Sequence, residues 1–171
     1  MRTMKKREIV AVTGLSAIAV GLFKKWIDRL SEPIPVTYPS DNIDVDYVDK
    51  VLVDIFGIPD YVVDEIPEDS DGRKAINFSV YIITHGREHD NPSDMFYAML
   101  SCDSYLNSAL YGIGKNKITK PEVQILIDCL GIMLKENRSL LINNGNLSYV
   151  KKFTEYRKRL VYISTEEKYF V

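Results

Sequence analysis

Residues Ile9 to Phe23 form an uncharged, mostly apolar run walled by basic side chains, and this run constrains the chain more than any other feature. Arg2, Lys5, Lys6 and Arg7 precede it; Lys24, Lys25 and Arg29 follow, with Trp26 among them. Such a segment has to be covered by lipid or by protein. As a helix its fifteen residues rise about 22 Å, short of the roughly 30 Å hydrocarbon core that about 20 residues normally cross. Snorkelling lysines and an interfacial tryptophan close part of that gap. A signal peptide begins in a similar way, but here the apolar core runs straight into Lys24 and Lys25 without a small-x-small cleavage site, so the segment is expected to be retained. The basic flanks are too evenly matched to fix an orientation across a bilayer.

On a helical projection the run sorts by size. Val12, Leu15, Ile18, Leu22 and Phe23 fall on one side, and Thr13, Gly14, Ala17 and Gly21 on the other. Thr13, Ala17 and Gly21 make a small-xxx-small ladder, which lets a second helix approach closely. The glycine spacing of a phosphate-binding loop is absent.

Three parts follow from punctuation. Residues 1–31 are the basic-flanked apolar helix, acting as an anchor or a packing helix. Residues 32–40 are a linker in which Pro33, Pro35 and Pro39 favour extended backbone. Residues 41–171 are expected to be one α-rich globular domain, long and apolar enough to bury a core. Charge is distributed very unevenly along the chain. The net charge is −2 overall, yet residues 1–31 carry seven basic and two acidic groups, and residues 32–72 carry twelve acidic groups against Lys50 alone. A block this acidic repels nucleic acid and anionic lipid and faces solvent, a cation or a basic partner.

Within the domain, Ser40 or Asp41 caps a helix to Phe56 with Val45, Val48, Leu52 and Ile55 as its stripe and Gly57 as its stop. A short helix is expected from Pro59 to Ile66, then a turn at Asp69, Asp71 and Gly72. From Ala75 to Thr84, Ile76, Phe78, Val80 and Ile82 alternate with Asn77, Ser79 and Tyr81, the period of a half-buried strand. A lone strand needs a pairing partner, and no second one is evident, so the alternation either pairs with another chain or conceals a helix. Met95, Met99, Cys102, Leu106, Ala109 and Ile113 give a helix capped by Ser93. Thr119, Pro121 and Glu122 make a capping box opening an almost all-apolar helix. A turn is expected at Asn143–Asn146. A last helix from about Ser148 puts Tyr149, Phe153, Tyr156, Leu160 and Ile163 on one face and Lys151, Lys152, Lys158 and Arg159 on the other. The fold class is therefore mainly α, a helical bundle with a minor β element, preceded by the apolar helix and its Pro-rich linker.

Chemistry is sparse. Cys102 and Cys129 are expected to be core packing. His85-Gly86-Arg87-Glu88-His89 matches His-x-x-Glu-His, in which a helix brings two imidazoles at i and i+4 to one zinc and the glutamate activates water. Gly86 inside the motif and Asp90-Asn91-Pro92 directly after it oppose such a helix, so the segment is read as a polar loop. The functional expectation is a non-enzymatic structural or interaction subunit without cofactors. It would be held at a membrane, or inside a larger assembly such as a cell-envelope complex or a virus particle, through residues 9–23, with protein partners and self-association. Two alternatives stand beside it. One is a zinc-dependent hydrolase with His85 and His89 as ligands and Glu88 as base; the other is a nucleic-acid-binding packaging or replication protein using the basic face of the last helix.

Overall fold

The computed structural model describes residues 43–86, 92–111, 118–145, 147–167 and 170. The N-terminal apolar run, its packing residues Thr13, Gly14, Ala17 and Gly21, and the Pro-rich linker lie outside the described residues. Seven helices occupy the described chain: α1 (Val45–Asp54), α2 (Asp60–Asp64), α3 (Asp71–His85), α4 (Pro92–Tyr111), α5 (Lys120–Glu136), α6 (Arg138–Gly145) and α7 (Leu147–Ser164). There is no strand among the described residues, and the fold is mainly α.

The segment 75–84, with its strand-like alternation, is the middle of α3. Every residue from Ala75 to His85 is buried, so both alternating sets face protein and the period of two carries no information about which face is solvated. The polar members are satisfied in a helical way. Asn77 Oδ1 accepts from Arg73 Nε one turn earlier at 3.0 Å, and Thr84 Oγ1 donates to Val80 O at 2.8 Å. Ser79 Oγ instead meets Cys102 Sγ of α4 at 3.3 Å. The turn expected at Asp69–Gly72 is likewise corrected: Ser70 is the cap, its hydroxyl accepting from Arg73 N, and Asp71 and Gly72 begin α3.

Four long helices close a ring. α3 packs on α4 and α5, and α7 packs on α5 and α4. Asp71 meets Ser108, Ser79 meets Cys102, and Phe78 stacks on Tyr105 at 5.8 Å, so α3 and α4 are antiparallel. Ser70 reaches Glu122 at one end and Gly86 adjoins Asn137 at the other, which makes α3 and α5 parallel neighbours. α4 and α5, consecutive in sequence, face each other across the diagonal. α1 and α2 lie together, with α1 against α3, and α6 fills the space beside α4, α5 and α7.

Local chemistry fixes each helix start. Asp44 caps α1 through Tyr47 N, and Gly57, at φ +67°, turns the chain after it in a conformation other residues adopt at a cost. The Thr119–Glu122 capping box forms as expected, with Glu122 accepting from Thr119 N at 2.7 Å and from Thr119 Oγ1 at 2.9 Å. The same carboxylate accepts from Ser70 Oγ at the start of α3. Two parallel helix N-termini, each a partial positive charge, thus share one buried anion. Gly72 permits that approach: a Cβ there would stand 3.0 Å from Cδ and Oε1 of Glu122.

Two further boundaries differ from expectation. α4 begins at Pro92, so Ser93 lies in the first turn and is not its cap; proline at the first helical position has no amide to leave unpaired. Residues 143–145 continue α6, whose Leu140 and Leu141 are buried against the bundle, although their composition is that of a turn. α5 is buried on nearly every side, from Glu122 to Met133, as its sequence implies.

Candidate interaction surface on α4

The outward side of α4 bears no charge. Met95, Ala98, Met99, Cys102, Leu106 and Leu110 face the core, as the four-three spacing implies. Among the described side chains of the helix, the exposed ones are Phe96, Tyr97, Leu100, Ser104, Asn107, Ser108 and Tyr111. At 100° per residue they occupy one arc of about 120° running the length of the helix. The two acids of α4 lie elsewhere: Asp94 is buried, and Asp103 is turned towards α7. The exposed side of α7 is of the ordinary kind, with Lys151, Lys152, Glu155 and Lys158. Phe96 and Leu100, each 48% exposed, stand one turn apart, with Tyr97 between them in sequence and supported by an edge contact to Phe78. Aromatic enrichment with depletion of charge is the composition of a protein interface core, and contiguous exposed apolar groups mark contact sites.

Sequence reasoning missed these residues. The available signal was the absence of any Lys or Arg between Pro92 and Tyr111, which acquires meaning only once the phase of the helix is fixed.

α4 is anchored to α7 by Asp103. Tyr156 OH donates to Asp103 Oδ1 at 2.5 Å and Lys152 Nζ donates to Oδ2 at 3.0 Å. Burial, then donation to Asp103 and the negative charge there, raise the Tyr156 phenol well above its ordinary 10.0. The fold thus favours the protonated phenol. Its contribution to stability is fully present below pH 10.0 and is lost as pH rises through the raised folded value. Tyr156→Phe should cost about 1–3 kcal/mol near neutral pH. In urea unfolding across a pH series, the gap between the two proteins should stay constant below pH 10.0 and narrow above it. A gap that persists into strong alkali would refute the assignment.

The basic residues of α7 are largely occupied. Besides Lys152, Lys158 Nζ donates to Glu155 at 3.2 Å, and the Arg159 guanidinium lies 6.0 Å from the Tyr111 ring and 5.5 Å from Tyr162. Lys151 is exposed. Among the described residues, the acidic segment engages Arg73 through Asp49. Tyr149 and Tyr156 are core residues, as their place in the apolar stripe implies.

His85 is the last residue of α3 and is buried, in contrast to the polar loop expected for it. Its ring stacks on Tyr81 at 4.3 Å, and Nδ1 lies 2.8 Å from Thr84 Oγ1 and 3.2 Å from Tyr81 O. Gly86 caps α3, so the helix that would carry His85 in phase with a residue at i+4 ends at His85. Glu88 and His89 lie outside the described residues. Among the described residues no group of three or more His, Cys, Asp or Glu could hold a metal ion.

Both cysteines are free and buried in the core. Burial pushes the Cys102 thiol up to about 12 and Cys129 well above its usual value, which keeps both as unreactive thiols. No helix among the described residues is long and apolar enough to cross a membrane. No family model matches the chain, and no curated protein or solved structure matches it.

Proposed function

We propose that this protein is a non-enzymatic interaction subunit of a larger assembly, and that the outward side of α4 is its protein-contact surface. The observation carrying this reading is the run of seven exposed residues from Phe96 to Tyr111, aromatic or aliphatic at four positions and charged at none. A helix side left to water normally carries Lys, Glu or Arg, as α7 does.

The reading predicts self-association of the full chain through α4. In sedimentation velocity, Leu100→Glu should raise the dissociation constant about tenfold or more, because a carboxylate is placed where a neutral interface has to be desolvated. Leu100 is 48% exposed, so circular dichroism and thermal stability should be unchanged. A wild-type chain that stays monomeric, or a variant that associates as the wild type does, would refute the reading.

A further inference from the structure

The α4 side and the N-terminal run match in length and in lack of charge, and acidic groups beside the one are opposite in sign to the flanks of the other. Phe96 to Tyr111 spans about 24 Å of helix, and the fifteen residues from Ile9 to Phe23 would span about 22 Å if helical. The run contains no charge, and the seven exposed residues of α4 carry none. The run is bounded by basic residues at both ends, from Arg2 to Arg7 and from Lys24 to Arg29. At the Tyr111 end of α4, Arg159 lies 6.0 Å from the Tyr111 ring on the side of α7, and on the side of α3 there are acidic groups: Ser108 Oγ donates to Asp71 Oδ2 at 2.5 Å, and Glu68 and Asp69, both exposed, precede the start of α3.

The point of entry and the length of the linker bring a second copy within reach of the run. The described chain begins at Ile43, and Tyr47 lies edge-on to His85 with centroids 6.3 Å apart, so it enters beside the end of the bundle where α4 starts. Residues 32–42 contain Pro33, Pro35 and Pro39. Extended backbone of that length covers about 34 Å, longer than the about 30 Å of α4 itself. A spacer with that reach allows the run to meet α4 of a neighbouring copy.

We infer that residues 9–23 of one copy dock along the uncharged side of α4 of a second copy, with the acidic 68–71 segment facing the basic flank of the run. This rests on the reading of α4 as a protein contact and names its occupant. Two full-length variants and their mixture test it by sedimentation velocity: Leu100→Glu removes the acceptor, and Ala17→Asp, outside the described bundle, removes the donor. Each alone should associate about tenfold or more weakly than wild type. An equimolar mixture should associate more tightly than either, because an intact run on one chain meets an intact α4 on the other. Raised salt should weaken the wild-type contact. Normal association of Ala17→Asp beside a monomeric Leu100→Glu would overturn the inference and leave the α4 contact standing, with α4 packing on something other than the run. Failure of the mixture to regain association would overturn it in the same way. Absence of wild-type association, with equal binding of wild type and Leu100→Glu to phosphatidylcholine vesicles, would assign the run to lipid and overturn both readings.

Discussion

Replacing Arg73 by alanine is expected to lower the unfolding free energy by about 3–4 kcal/mol, measured by urea denaturation of the full chain. Arg73 is 2% exposed, at the first turn of α3, and its guanidinium serves two helices. Nε donates to Asn77 Oδ1 at 3.0 Å, and a terminal nitrogen pairs with Asp49 of α1. Truncation opens a cavity and leaves the buried Asn77 amide without its donor, whereas Asp49, whose side chain is 37% exposed, regains water. The cost therefore comes mainly from the volume lost and from Asn77. Arg73→Met fills most of that volume and should lose only about half as much. The ion pair ties α1 to α3, so amide exchange in α1 should quicken in the alanine variant before exchange in α5 does. Uniform quickening throughout the bundle would show that α1 is held by its apolar stripe and not by Arg73.

Phe153→Ala should cost about 3–5 kcal/mol. Its ring is fully buried on α7, 5.7 Å from Tyr149 and 6.2 Å from Tyr156, so its removal leaves a void lined by groups already fixed by their own packing. For a chain of this size the midpoint of thermal unfolding should fall by roughly 10–15 °C. Tyr162→Ala, at a 46% exposed position on the same helix, is the matched control and should shift stability by less than about 1 kcal/mol. Comparable losses at the two positions would mean that α7 is not seated as described.

What the sequence shows depends on whether local chemistry or distant packing decides an element. α5 is legible from Thr119, Pro121 and Glu122, because a capping box and a first-turn proline act within four residues. The stripe of α7 is legible because its other side is charged, so burial and period coincide. α3 is not, since a helix enclosed on all sides has no polar face to set its phase, and Asn77 and Ser79 owe their burial to Arg73 and Cys102. In α6, Asn143-Asn144-Gly145 has the composition of a turn, and the burial of Leu140 and Leu141 overrides it. The His85–His89 motif asks for one helix across five residues, and the chain supplies a helix end at the first of them. For the α4 surface, Ser104, Asn107 and Ser108 look unremarkable singly; their shared lack of charge with Phe96, Leu100 and Tyr111 is visible only on one side of a helix of known phase.

The diagonal placement of α4 and α5 bears on how the chain matures during synthesis. After Glu136 has emerged, α3 can hold α4 on one flank and α5 on the other, but the two have little to offer each other across the gap. The part of the nearly all-apolar surface of α5 that α3 leaves uncovered then faces water until Leu147–Ser164 arrives to cover it. α7 is thus the closing piece of the bundle, and a ribosome pausing before Leu147 would hold an open, adhesive intermediate at the moment when a chaperone matters most.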